Sequence, residues 1–297
     1  MCSDTTTRLK PLLRTVAQAL LWASAQLAGT SEAVIAARML LAHVLGCTPA
    51  ELFARPERAL SNSQSCAYRA LVARRARHEP VAYLIGHRAF IDMDLLVDQR
   101  ALIPRPETEK LVELAAEAAG HWPLPRLVDV GTGSGAIAIG LALRLPAARI
   151  WAIDRSADAL ELAQLNAQRC GVSARIAFLQ GDLLAPLPEQ VQVIVANLPY
   201  ISESEFATLA PDIRLYEPRA ALVAGPDGLE AIRALLTTAG PHLAHEGVLV
   251  VEIGAGQGAA AREWAQRVFP GAQVDVIADD AHLDRIVRVQ LPAAVRE

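Results

Sequence analysis

Seven short apolar runs, separated by stretches of helical spacing, fill the chain beyond Leu124 and restrict its fold more than any other feature. They are residues 126–131 (RLVDVG), 149–154 (RIWAID), 176–182 (IAFLQGD), 191–199 (VQVIVANLP), 247–254 (GVLVVEIG), 272–279 (AQVDVIAD) and 284–291 (DRIVRVQL). Strands with one wet face alternate polar and apolar residues. These are almost continuously apolar, the pattern of strands covered on both faces. Helices are expected between them, over 157–170 and 228–239 among others. Strands joined by helices and covered on both sides make a doubly wound, Rossmann-like α/β domain. The last two runs lie close together in sequence, which suits one antiparallel hairpin at the sheet edge.

The front of the chain has a different texture. Leu12, Leu13, Val16, Leu20 and Leu21 recur at helical spacing, as do Val34, Ala37, Leu40, Leu41 and Val44, with Gly46 as a stop. A third helix is expected over 64–78, with Leu71 and Val72 as its apolar stripe and Arg74, Arg75 and Arg77 at its end. Residues 1–79 therefore read as a small helical bundle without chemical motifs, suited either to binding a partner or to stabilising the chain. Residues 80–106 carry VAYLIG, HRAFIDMDLLVD and LIPRPE, which read as a β-hairpin linker followed by an extended Pro-rich segment. Residues 107–297 then form the α/β domain, opening with a helix over Glu107–Ala119 whose first-turn acids complement its dipole.

Charge and cysteine usage narrow the function classes. The net charge of −4 combines +5 over residues 1–80 with −9 over the remainder. A basic front half suits a nucleic-acid or ribosome-associated partner, or only arginines that solvate helix faces. Cys2, Cys47, Cys66 and Cys170 are scattered, with no C-x-x-C pair and no histidine at ligand spacing. Reduced thiols in a cytoplasmic protein are expected, without a metal site. The polar start MCSDTTTRLK lacks the apolar core of a signal peptide. No apolar run approaches the ~20 residues of a membrane span.

Chemistry concentrates at two strand ends. The run Leu127-Val-Asp-Val-Gly-Thr-Gly-Ser-Gly135 leads from a strand through Gly131, Thr132, Gly133, Ser134 and Gly135 into a helix. Glycines there permit a tight turn and close approach of the backbone to a ligand. The next strand ends in Asp154, 23 residues beyond Gly131, where an acid can accept from both hydroxyls of a ribose. The loop lacks the lysine of a P-loop and has the spacing GxGxG rather than GxGxxG. S-adenosyl-L-methionine, which has a ribose but no phosphate, fits that loop better than a dinucleotide does. A second glycine loop, Glu252-Ile-Gly-Ala-Gly-Gln-Gly258, also follows a strand, with Asp275 beyond it. Too little chain follows to build the other half of a wound sheet around it, so the first loop is expected to hold the cofactor. Asp182 closes the third strand and can accept from an adenine amino group or cap a turn.

The fourth strand ends Asn197-Leu-Pro-Tyr200. An amide or exocyclic amine is a poor nucleophile because its lone pair is delocalised. The Asn197 side-chain carbonyl and the backbone carbonyl of Leu198 or Pro199 can accept its N–H groups and orient it. Tyr200 is expected to pack on the planar group. Asn197, Pro199 and Tyr200 are the candidate catalytic residues, and Asn197 to Tyr200 the candidate substrate contacts.

These motifs resemble the HemK/PrmC family of protein-glutamine N-methyltransferases along nearly the whole chain. The resemblance is carried by Glu79-Pro-Val-Ala-Tyr-Leu-Ile-Gly86, Phe90, and Leu102-Ile-Pro-Arg-Pro-Glu-Thr-Glu109. It continues through 129–135, Asp154, Asp182, Tyr216-Glu-Pro-Arg-Ala-Ala-Leu222, 225–229 and 252–254. A sister class acting on a ribosomal-protein glutamine typically reads PRSP where this chain reads PRPET. The resemblance implies a seven-stranded methyltransferase domain with an N-terminal helical bundle that grips the substrate. It implies S-adenosyl-L-methionine bound at 131–135, Asp154 and Asn197. The implied target is the glutamine of the GGQ loop of peptide chain release factors, methylated by a monomer that contacts no nucleic acid directly. The family usually reads NPPY, whereas Leu198 replaces the first proline; its position before Pro199 still favours an extended backbone. Some members place an aromatic over adenine directly after the third-strand acid, where this chain has Leu183. NLPY also resembles ribosomal RNA adenine dimethyltransferases, but PRPET has no place in those, and the −9 catalytic part suits RNA poorly.

Overall fold

The computed structural model describes residues 13–293, which divide into two compact units at Ile85/Gly86. The first unit holds five helices: α1 (Val16–Gln26), α2 (Ala33–Leu45), α3 (Pro49–Ala54), α4 (Asn62–Arg75) and α5 (Val81–Ile85). Local chemistry sets their ends. Thr48 with Glu51, and Ser61 with Gln64, form reciprocal capping boxes at the starts of α3 and α4. Gly46 closes α2 with φ 61°, a left-handed conformation in which a Cβ is strained.

The packing face of α1 differs from the one expected. Val16, Ala19, Ala23 and Leu27 are buried, whereas Leu21 is 77% exposed. Apolar residues surround much of α1, and the small side chains of Ala19 and Ala23 allow close approach of its neighbours. On α2, Ala36, Ala37, Leu40 and Leu41 turn inward while Val34 is exposed. Tyr68 on α4 is fully buried and donates its hydroxyl to the Ala37 carbonyl at 2.8 Å. The third expected helix starts two residues earlier and ends at Arg75. Leu12 and Cys2 lie outside the described residues; Cys47, Cys66 and Cys170 are free thiols. VAYLI, expected to be extended, is the helix α5. It buries Leu84 in the bundle core, and a five-residue apolar run does not distinguish helix from strand by periodicity alone.

The second unit opens with an antiparallel hairpin, β1 (His87–Phe90) and β2 (Met93–Leu96), followed by α6 (Glu107–Ala119). Strand–helix alternation follows: β3 (Arg126–Val130), α7 (Ala136–Arg144), β4 (Arg149–Asp154), α8 (Ala157–Arg169), β5 (Ile176–Gln180) and β6 (Val191–Ala196). Two short helices, α9 (Glu203–Phe206) and α10 (Pro211–Tyr216), lead to α11 (Glu230–Ala239) and β7 (Leu243–Glu252). The chain finishes with α12 (Gly258–Val268), β8 (Gln273–Ala278) and β9 (Asp284–Gln290).

The seven-stranded sheet has the order β5-β4-β3-β6-β7-β9-β8, with β9 antiparallel to both neighbours. The closing hairpin is thus inserted back to front, with β9 against β7 and β8 at the edge. Alternate residues of each central strand feed opposite cores, as the pleat requires. Val193, Val195, Val248 and Val250 pack with α6 and α7 residues, and Ile194, Ala196, Leu249 and Val251 with α11 and α12 residues. The chain leaves β3 toward β4 and β5, and later returns to β3's other side with β6. Their carboxyl ends therefore flank the point where strand order reverses, the crevice in which open α/β sheets bind ligands.

Candidate active site

Register places three chemical segments in one row. Val130 pairs with Ala196, and Ala196 with Val251. The glycine loop after β3, the Asn197 turn after β6 and Glu252 at the end of β7 therefore emerge side by side. Gly131 and Leu198 interlock: a Cβ built on Gly131, whose φ is +76°, would lie 2.9 Å from Leu198 Cδ2. Leu198 is itself buried in the core.

A cavity of about 470 Å³ lies above this row. It is lined by the loop residues Gly131, Thr132, Gly133 and Ser134, and by Asp154, Asp182 and Leu183 on one side. Asn197, Leu198 and Pro199 line it as well. Gly135 starts α7 with φ 84°, and a Cβ there would meet Ala163 at 3.1 Å, so this glycine fits the helix against α8. Tyr200 is set apart from these residues and is not among those lining the cavity. Its hydroxyl donates to Glu252 Oε1 at 3.3 Å, because a largely buried phenol needs a partner and the end of β7 supplies one.

Backbone hydrogen bonds hold Asp154 in place. Gly133 N–H donates to its Oδ2 and Ser156 N–H to its Oδ1, each at 2.9 Å. Each oxygen keeps a lone pair for a further donor. Asp129, fully buried beneath the loop, accepts from Thr132 Oγ1 at 2.6 Å and Ala138 N–H at 3.1 Å through Oδ2. Its Oδ1 is buried without a hydrogen-bond partner. Burial pushes the Asp129 carboxyl up to about 7, and the nearby Asp154 charge acts in the same direction.

A second polar cluster backs Asn197. Its Nδ2 donates to Thr108 Oγ1 at 3.0 Å, and Thr108 donates to Glu252 Oε2 at 2.8 Å. Glu252 is 2% exposed, and burial raises its pKa against the opposing hydrogen bonds from Thr108 and Tyr200. Neighbouring segments are tied by Glu217, which accepts from Ile103 N–H at 3.1 Å and Arg105 Nη2 at 2.5 Å. The second glycine loop is occupied by its own side chain. Gln257 accepts from Gly254 N–H and donates to the Tyr200 carbonyl, both at 2.8 Å.

Comparison with known proteins decides the family. Residues 18–86 match the model of the PrmC N-terminal domain, and residues 124–233 match a methyltransferase domain. A release factor glutamine methyltransferase of Chlorobaculum tepidum is 43% identical over 264 residues, covering 86% of this chain and 89% of that protein. Another, from Cereibacter sphaeroides, is 41% identical and covers 90% of this chain and 94% of its own. The chain belongs to the release factor glutamine methyltransferase family. The fold is shared more widely: the catalytic domain of hMettl16, in complex with a 3'UTR hairpin, superposes with TM-score 0.56 at 13% identity, covering 81% of this chain and 87% of that one.

In this family member, the sequence alone points to the loop and the Asn197 turn but not to the roles of Thr108, Glu217 and Glu252. Thr108 lies in PRPET and Glu252 in the second glycine loop, and as sequence both are only family markers. A signal exists all the same: an acid ending an otherwise apolar strand needs a partner when buried. Pro218, which also lines the cavity, falls within the 216–222 stretch, whereas Val223, Ala224 and Ala231 lie outside every motif.

Proposed function

We propose that this protein transfers a methyl group from S-adenosyl-L-methionine to the side-chain amide nitrogen of the GGQ-loop glutamine of peptide chain release factors. The observation that carries the reading is the shared cavity of the glycine loop and the Asn197 turn, on adjacent strands at the sheet's reversal point. The residues present fit the cofactor. Asp154 offers two pre-set acceptor oxygens for ribose. Gly133 leaves its backbone approachable, since a Cβ there would meet only Ala101 Cβ at 3.8 Å among side chains. The cavity volume falls within the roughly 300–1,000 Å³ of small-molecule sites. Asp182 and Leu183 would border the adenine.

When bound, the cofactor supplies an electrophilic methyl group. The chain's own work is to hold and orient the amide. Asn197 Oδ1 and a backbone carbonyl of Leu198 or Pro199 accept the glutamine N–H groups, aim the nitrogen and raise its electron density. No strong base is required, because the proton on that nitrogen becomes acidic as the new bond forms and then leaves readily. Orientation of this kind is worth up to ~7–11 kcal/mol in intramolecular analogues. The basic front of the chain, matched by the PrmC N-terminal domain, would grip the release factor.

The test incubates the purified protein with labelled S-adenosyl-L-methionine, separately with release factor and with ribosomal RNA. Label on the release-factor glutamine is expected. Label in RNA alone would overturn the substrate assignment.

A further inference from the structure

The Asn197 amide can help the proposed substrate only if its oxygen, not its nitrogen, faces the cavity. The turn that carries it does not decide this, since rotating the amide by half a turn exchanges two groups of equal size. A decision has to come from the polarity of what Asn197 touches.

Thr108 and Glu252 provide that polarity. A hydroxyl has one proton, and a carboxylate can only accept. Thr108 Oγ1 lies 2.8 Å from Glu252 Oε2, so its proton is directed to the carboxylate. Toward Asn197 the same oxygen can then only accept, and at 3.0 Å it takes an N–H of the amide. The other carboxylate oxygen takes the Tyr200 hydroxyl at 3.3 Å. The chain of donors therefore runs one way, from Asn197 through Thr108 to Glu252. Thr108 is 4% and Glu252 2% exposed, so water does not compete. Glu107 and Arg285 are the charged groups acting on Glu252, in opposite senses. The three residues come from the end of β6, the first turn of α6 and the end of β7. They are separated by 89 and 144 positions along the chain.

We propose that Glu252 and Thr108 are positioning residues that set the Asn197 amide, turning its carbonyl oxygen toward the substrate nitrogen. The proposal rests on the glutamine-methylation reading for its effect on turnover, but not for its geometry. Two measurements separate these. The first is hydrogen exchange of the Asn197 side-chain amide protons by NMR, on full-length protein without substrate. One of the two protons should exchange slowly in the wild type and lose that protection in Thr108→Val. The second is steady-state methylation of release factor by Thr108→Val, Thr108→Ser and Glu252→Gln. Thr108→Val should lose about tenfold or more in kcat, in line with what small misplacements cost, while cofactor KM stays within about twofold. Thr108→Ser should recover most of the loss, because it restores the hydroxyl without the methyl group. Glu252→Gln, whose amide can donate as well as accept, should lie between wild type and Thr108→Val.

Undiminished kcat in Thr108→Val, or unchanged protection of the Asn197 amide, would overturn the proposal. So would a Thr108→Ser variant as impaired as Thr108→Val, which would assign the effect to packing. A wild-type protein that shows the protected amide but methylates no release factor would sink the substrate reading and leave the amide orientation standing.

Discussion

Asp129 shows how one buried carboxyl couples the glycine loop to pH. Its folded-state pKa is raised to about 7 by burial, against about 3.9 in an unfolded chain. Between those values the folded state holds a proton that the unfolded state has lost, so stability falls as pH rises. The contribution is complete below the unfolded pKa and is lost as pH rises through 7. The ligand-free wild type should therefore lose stability between pH 5 and 7.5, by up to about 1.4 kcal/mol per pH unit while only the folded carboxyl keeps its proton. Asp129→Asn should show a flatter dependence in paired urea titrations. Equal slopes in the two proteins would show that the carboxyl is not the group responsible. Asn197 gives a second residue-scale expectation. Asn197→Ala removes the acceptor proposed for the substrate amide and should abolish measurable transfer, with cofactor binding still detectable by calorimetry. Full turnover in that variant would take Asn197 out of the mechanism.

At the scale of elements, Asn166 on α8 joins parts that no strand pairing connects. Its Nδ2 donates to the Leu96 carbonyl at 3.0 Å and the Ser134 carbonyl at 2.9 Å, and its Oδ1 accepts Leu96 N–H at 2.7 Å. The hairpin strand β2, helix α8 and the glycine loop thus share one fully buried amide. Asn166→Ala should cost about 2–4 kcal/mol, since it strands buried backbone groups as well as removing bonds. It should also speed hydrogen exchange at the Leu96 amide relative to the β6 and β7 amides. Protection at Leu96 matching the wild type would show that the hairpin is held by its apolar contacts alone. The loop after β7 has a comparable supporting part: Gln257 binds Gly254 and Tyr200 and holds two turns together. It resembles a cofactor loop in sequence, but its Gly254 N–H is already taken by its own Gln257 side chain.

For the whole molecule, the division into units makes stability and binding separable. The first unit has its own core, in which Leu40 is fully buried. The residues lining the cavity all belong to the second unit. Leu40→Ala should destabilise the first unit by about 2–5 kcal/mol. S-adenosyl-L-methionine affinity, measured by calorimetry below the unfolding range, should stay at the wild-type value. A matching loss of affinity would mean that the cavity depends on the integrity of residues 13–85.

The sequence alone determined the sheet, because strands covered on both faces must be apolar throughout and that requirement is written residue by residue. It also determined the glycine loop and the Asn197 turn, where covalent neighbours carry the chemistry: glycines for left-handed backbone, an acid ending the next strand, an amide two residues before a proline. Short apolar runs such as VAYLI were ambiguous, since five residues complete barely more than one helical turn. What only the tertiary structure decided is the company these groups keep. Thr108, Asn197 and Glu252 become partners because parallel pairing aligns the ends of β6 and β7 beneath the start of α6. Hydrogen bonding acts over about 3 Å of space and is indifferent to distance along the chain, so no local pattern could have announced it.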